Sequence, residues 1–152
     1  VSLFNAGQEP TDAEFNELNE PGWDNYASIA WSSSGTQPVV NNGTLVGRYR
    51  QPTDSDLILF EFGLIMGGTT TYGTGTYFIS VPVTPSVTSV AYAVGACYIL
   101  DSGTLDKAAV CKFQDNTKLK IVTATVGVAT PTIPQTFATN DQIHGVILYE
   151  PA

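Results

Sequence analysis

Few residues of this chain are of a type that could do chemistry, and their spacing decides which chemistry that is. The single histidine, His144, lies in Asp141-Gln142-Ile143-His144-Gly145-Val146, alternating with apolar residues as on a strand. That is the setting of a structural or surface histidine and not of a general base. Cys97 and Cys111 lack the short spacing of zinc modules, and only His144 could join them as a ligand. Asp54 and Asp56 share a turn, where two carboxylates without further ligands are a solvated or turn-capping pair. The chain has no Gly-x-Ser-x-Gly elbow, no Gly-Lys-Ser or Gly-Lys-Thr phosphate loop, no His-Glu-x-x-His and no calcium loop. Glycoside hydrolysis would need two carboxylates flanking a cleft, and none declares itself. The expectation is a protein without catalytic residues, metal or cofactor, and so not an enzyme.

Binding is the chemistry that remains. Tyr72, Tyr77, Tyr92 and Tyr98 offer aromatic faces and hydroxyls for binding contacts. Two of them belong to the stretch Gly67 to Tyr77, which holds four glycines and five threonines in eleven positions. Glycine permits positive φ and close backbone approach, and the hydroxyls satisfy backbone groups locally or face water or a sugar.

These residues must be positioned by strands. Of the 152 residues 43% are hydrophobic and only 13% charged, with threonine, glycine and proline plentiful, a mix suited to short strands and turns. A chain of this size buries about 70% of its unfolded surface as one domain. Alternation and turn punctuation place strands at Ser28 to Trp31, Thr44 to Gln51, Leu57 to Met66, Tyr77 to Val81, Ser89 to Leu100, Ala108 to Phe113, Leu119 to Val126 and Gln142 to Tyr149. No helical pattern intervenes, so the expected class is all-β, an antiparallel two-sheet sandwich or jelly roll. Pro131 and Pro134 predict a long loop or edge segment.

The strand from Leu57 to Met66 carries the strongest packing signal. Ile58, Phe60, Phe62, Leu64 and Met66 share one face, while Leu57, Leu59 and Ile65 share the other with Glu61 and Gly63 between them. An antiparallel strand with water on one side should have a polar outer face. This one predicts a second cover over Leu57, Leu59 and Ile65, from a neighbouring subunit or the N-terminal arm, with a loop as the purely structural cover. Glu61 needs a donor among these neighbours, and Arg48 or Arg50 is nearest. A hairpin centred on Thr104 would set Cys97 opposite Cys111, either as a cross-strand disulfide or as two reduced apolar residues.

Residues 1–25 read as an arm and 26–152 as the body. Thr11 and Glu14 have the spacing of a capping box, predicting a helix of about two turns that ends before Pro21-Gly22. Phe4, Phe15, Leu18 and Trp23 must then bury against the body or another molecule. Six of the fourteen acids fall in the first 24 residues, the first base is Arg48, and the net charge is −8. Such a balance opposes nucleic-acid binding. The acidic run predicts either a solvated face or docking on a basic neighbour. No apolar run reaches the length of about 20 residues that crosses a bilayer, and no signal-peptide pattern opens the sequence.

The opening Phe4-Asn5-Ala6-Gly7-Gln8-Glu9-Pro10-Thr11-Asp12-Ala13-Glu14-Phe15-Asn16 resembles the F-x-A-G-Q-x-x-T-A-x-x-L-N start of small structural proteins of tailed bacteriophages. Trp31, Gly35-Thr36-Gln37-Pro38, Asn42 to Arg50 and Gly68 to Pro82 follow in the order of a minor tail or virion-surface domain, and Phe137 to Ile143 with Leu148-Tyr149-Glu150 resemble its last strands. Glu9 and Pro10 depart from the pattern, and Val83 to Lys120 does not match. The resemblance implies a non-enzymatic virion protein with a jelly-roll-like body, assembled in the host cytoplasm and exposed on the particle. It implies a homotrimer, with other tail or capsid proteins as partners and cell-surface polysaccharide as the ligand of a tail or fibre knob, met by Tyr72, Tyr77, Tyr92 and Tyr98 at loop tips. Its other implied role is capsid decoration or a head spike, clamping the lattice. Phe4, Phe15, Leu18 and Trp23 would dock the arm on the virion. Assembly in a reducing cytosol would favour free thiols at Cys97 and Cys111.

Overall fold

The computed structural model describes residues 22–51, 56–123 and 127–152. They form an all-β, antiparallel structure of ten strands with one short helix. In chain order the strands are β1 (Asp24–Asn25), β2 (Trp31–Ser33), β3 (Thr44–Arg50), β4 (Ile58–Ile65), β5 (Tyr77–Ser80), β6 (Val94–Asp101), β7 (Leu105–Phe113), β8 (Lys118–Thr123), β9 (Gly127–Val128) and β10 (Gln142–Tyr149). The helix α1 (Val87–Tyr92) precedes β6.

All ten strands join one ladder, in the order β1-β3-β4-β10-β6-β7-β8-β5-β2, with β9 pairing on β8. The sequence predicts two sheets; among the described residues the hydrogen bonds run continuously through one. The connection between its two edges makes that sheet curl. Nine strands side by side would span about 38 Å at about 4.8 Å per gap. The edge strands β1 and β2 are joined by only Tyr26 to Ala30, six peptide steps that reach at most about 23 Å. Tyr26 fastens the two halves. Its ring meets Phe60 of β4 edge-on at 5.9 Å, and its hydroxyl donates to Val81 O at 3.0 Å and is hydrogen-bonded with Ser80 Oγ at 2.9 Å. Gly47 lies beneath this connection, where a Cβ would come within 2.7 Å of the Ile29 Cδ1.

Period-two alternation fills the concave side. Ile58, Phe60, Phe62 and Leu64 of β4 point inward as predicted and are buried, as is Met66 beyond the strand. They meet Ile143, Ile147 and Tyr149 of β10, Ile99 of β6, Cys111 and Phe113 of β7, Leu119 and Ile121 of β8 and Ile79 of β5 in one core. Burying each such side chain stabilises the fold by roughly 1.5–3 kcal/mol before the entropy of ordering is counted.

The strands predicted at Thr44 to Gln51, Leu57 to Met66, Tyr77 to Val81 and Gln142 to Tyr149 are present within a residue at each end. Ser28 to Trp31 is not a strand along its length; pairing begins at Trp31, and Asp24–Asn25 joins β3 instead. Two of the arm's residues therefore belong to the sheet. The strand predicted from Ser89 starts at Val94, because Val87–Tyr92 is helical. Ser86 caps that helix by accepting a hydrogen bond from Ser89 N at 3.1 Å, and Pro85 precedes the cap. The Pro131 to Pro134 region is irregular, as predicted. The arm helix from Thr11, with Phe4, Phe15 and Leu18, lies outside the described residues, as do Asp54 and the end of the strand predicted to reach Val126.

Gly67 to Tyr77 is scaffold. Gly73 and Gly75 have φ of 61° and 86°, conformations that L side chains resist. Thr70 Oγ1 accepts from Gly67 N at 2.8 Å and donates to Val40 O at 2.7 Å, and Thr74 Oγ1 accepts from Thr36 N at 2.9 Å.

Candidate functional site

The convex side of the sheet is where this chain departs from an ordinary solvated β surface. Its side chains form cross-strand rows fixed by register. One row runs Arg48, Glu61, Val146, Ala96, Val110, Val122 and Val128 across β3, β4, β10, β6, β7, β8 and β9. The next places Leu59 opposite Leu148, with Val94 on the neighbouring β6. The third runs Val46, Gly63, His144 and Tyr98. Val94 is 60% exposed, Val46 56%, Leu148 53%, Tyr98 44% and Val110 40%. Water thus meets a contiguous apolar band in the middle of the sheet, wider than the β4 face the sequence points to. Leu57 is exposed at its margin, and Leu59 and Ile65 are half-buried within β4.

Polar groups edge this band. Arg48 donates to Glu61, with both its Nε and a terminal nitrogen 2.8 Å from Glu61 Oε2, which satisfies the carboxylate by one of the two predicted arginines. The guanidinium also lies 4.2 Å from the centre of the Trp23 ring, a cation–π contact. Trp23, the one arm residue of the expected docking set that is described, therefore packs on the body here and stays 36% exposed. Two shallow grooves of about 340 and 470 Å³ flank His144 and share Glu61 and Phe62; the second is lined by Tyr98 and Val146.

His144 lies over Gly63, where a Cβ would approach its Nδ1 to 3.0 Å, and stacks on Tyr98 at 5.0 Å and 15°. Its Nε2 is 2.8 Å from Gln142 Oε1. Desolvation holds the imidazole below its ordinary value, so it is neutral at pH 7. One ring nitrogen is bonded by Gln142 and one ring face is covered by Tyr98, the arrangement of a structural histidine.

The four tyrosines are not brought together. Tyr77 is fully buried, its hydroxyl donating to Tyr72 O at 2.8 Å, and it packs on Trp31 at 4.9 Å. It cannot face a sugar, and its expected binding role is corrected to a core one. Tyr72 is half-buried. Tyr92 stands exposed at the end of α1, and Tyr98 lies in the outer band.

For the cysteines the directly opposed placement, and with it the cross-strand disulfide, is corrected, while the reduced and buried alternative holds. The β6–β7 turn centres on Gly103, not Thr104, since Asp101 pairs with Leu105 and Gly103 takes a φ of 84°. That moves the register by two, so Cys97 faces Ala109 and Cys111 faces Gly95. Both thiols are free and buried. Burial pushes the Cys111 thiol up to about 12 against the opposing backbone hydrogen bonds at Cys111 and Gly95. Burial, with the neighbouring Cys111, pushes Cys97 higher still. Neither is a thiolate nucleophile.

One polar cluster escaped the sequence reading. Asp141 is 2% exposed and accepts from Ser102 N, Gln135 Nε2 and Ala138 N, each at 2.9 Å. Gln135 in turn accepts from Lys107 Nζ at 2.5 Å, and Lys107 holds Asp101 at 3.0 Å. The cluster ties the 130–140 loop to the β6–β7 turn. Only the Thr-Asn-Asp turn composition before β10 hinted at it. Among the described residues no group of three His, Cys, Asp or Glu could hold a metal, and no helix is long and apolar enough to cross a membrane.

No family model, characterised relative or solved structure matches this chain.

Proposed function

We propose that this protein is a non-enzymatic building part of a phage particle, exposed on the particle surface, and that it works by burying the outer face of β4–β10–β6–β7 against sister copies and other virion proteins. The carrying observation is the contiguous apolar band through Leu148, Val94, Val146, Ala96 and Val110. Exposed patches of this kind, rimmed by polar groups, mark protein–protein surfaces. Leu57, Leu59 and Ile65 extend it along β4. A homotrimer accommodates it by a repeated contact. The jelly-roll-like reading of the body belongs to the same proposal, with the curl doing the work of two facing sheets.

The state of the groups that could have acted chemically agrees with a structural role. The thiols are raised by burial, and His144 is engaged by Gln142 and Tyr98. Between the two virion roles, the dispersal of the tyrosines favours decoration or capping of a lattice over a sugar-binding tail or fibre knob. Tyr92 and Tyr98 are the residues left for adhesion. Sedimentation velocity at micromolar concentration tests the proposal: wild type should associate, and Leu148→Asp should shift it to monomer while remaining folded. A wild-type chain that sediments as a folded monomer would sink the reading.

A further inference from the structure

Lys107 is a lysine at a core-facing position. Alternation along β7 puts it on the inward face with Ala109, Cys111 and Phe113, and register sets it opposite the fully buried Ile99. Lys112, Lys118 and Lys120 fall on the outer face instead. Turning an ammonium inward costs free energy unless it finds acceptors. Lys107 Nζ has two: Asp101 Oδ2 at 3.0 Å, and Oε1 of Gln135, 28 residues along the chain, at 2.5 Å. The Gln135 side chain is buried, and its Nε2 donates to the buried Asp141 Oδ2 at 2.9 Å. A primary amine, a side-chain amide and two carboxylates thus converge where the 130–140 loop meets the β6–β7 turn. With a C=O bond of about 1.23 Å, an Nζ 2.5 Å from Oε1 is at most about 3.7 Å from the amide carbon. Reacting atoms in a near-attack contact are about 3–3.5 Å apart.

We infer that Lys107 and Gln135 join in an intramolecular isopeptide bond, formed by the folded chain itself. Asp101 Oδ2 takes a proton from the ammonium, passes it to water and leaves a free amine. The amine attacks Gln135 Cδ; the Nζ–Cδ bond forms and the Cδ–Nε2 bond breaks. A second proton passes from Nζ to the departing Nε2, which Asp141 Oδ2 is placed to relay. The nitrogen leaves as ammonia and a secondary amide remains, with no oxidant or further reactant in the balance. The fold supplies the proximity that two side chains 28 residues apart lack in the unfolded chain. The product is a covalent tie between β7 and the 130–140 loop, at the place that the Asp141 hydrogen bonds already fasten. The bond forms whatever the outer face binds.

Intact mass spectrometry of the full chain, incubated folded at pH 8, tests it. The mass should fall short of the sequence by one ammonia, and proteolysis should release a branched peptide joining Lys107 to Gln135. Lys107→Arg keeps a positive charge beside Asp101 but offers no amine, and it should show its full mass. Peptide mapping of the wild type gives the same answer without any variant. A native chain that keeps the full mass of its sequence would overturn the inference. So would an ammonia loss that persists in Lys107→Arg or maps elsewhere, as a succinimide at Asn42-Gly43 would. Loss of one water, with Lys107 joined to Asp101, would overturn it equally.

Discussion

Cys97 and Cys111 share the inner face of adjacent strands yet are two residues out of register, Cys97 opposite Ala109 and Cys111 opposite Gly95. Gly95 cannot be filled: a Cβ there would collide with Val146 O and come within 2.6 Å of Cys111 Sγ. The thiols should therefore resist aromatic disulfide reagents at pH 8 and react only when denaturant exposes them. Rapid stoichiometric labelling of the native protein would contradict the geometry.

Asp141 should be the most costly polar residue to truncate. Asp141→Ala strands the buried Gln135 Nε2, at roughly 1–3 kcal/mol for a buried group left unpaired, and removes the part-buried bonds from the amides of Ser102 and Ala138, which water can partly replace. Denaturant melts should show a loss of about 2–3 kcal/mol, with Asp141→Asn losing less.

His144 gives a pH dependence of defined sign. Desolvation lowers its folded value below 6.5, so between that value and 6.5 the unfolded chain binds a proton that the folded chain does not. Its contribution is fully present above about 6.5 and is lost as pH falls through that window. NMR titration of the ring should give a midpoint below 6.5, and His144→Gln should flatten the slope of stability against pH there.

Tyr77→Phe should act on stability alone. It removes the hydrogen bond to Tyr72 O from a fully buried ring, costing about 1 kcal/mol. Any retention on a glycan array should be unchanged by it and should fall with Tyr98→Ala.

Glu61→Gln should cost less than about 1 kcal/mol, an effect that fades in high salt, because the Arg48–Glu61 pair is open to solvent. The Arg48 contact with Trp23 survives that change, so Trp23 fluorescence should shift little.

Local alternation was enough to read β4 and β10, their inward faces and an arginine of β3 as the donor to Glu61, because side-chain direction on a strand is set by the residue count alone; which arginine, Arg48 or Arg50, was set by the β3–β4 register. The excess of apolar residues on both sides of β4 was likewise visible in the sequence. The start of α1 was not, since Val, Thr and Tyr favour strands and only the Ser86 cap tips the balance locally. The fate of the cysteines turned on a single turn position, because moving the centre from Thr104 to Gly103 slides every pair by two. The curl and the width of the outer band were decided by tertiary structure. They depend on which strands become neighbours and on a five-residue connection drawing distant edges together, and those long-range choices leave no mark on local periodicity.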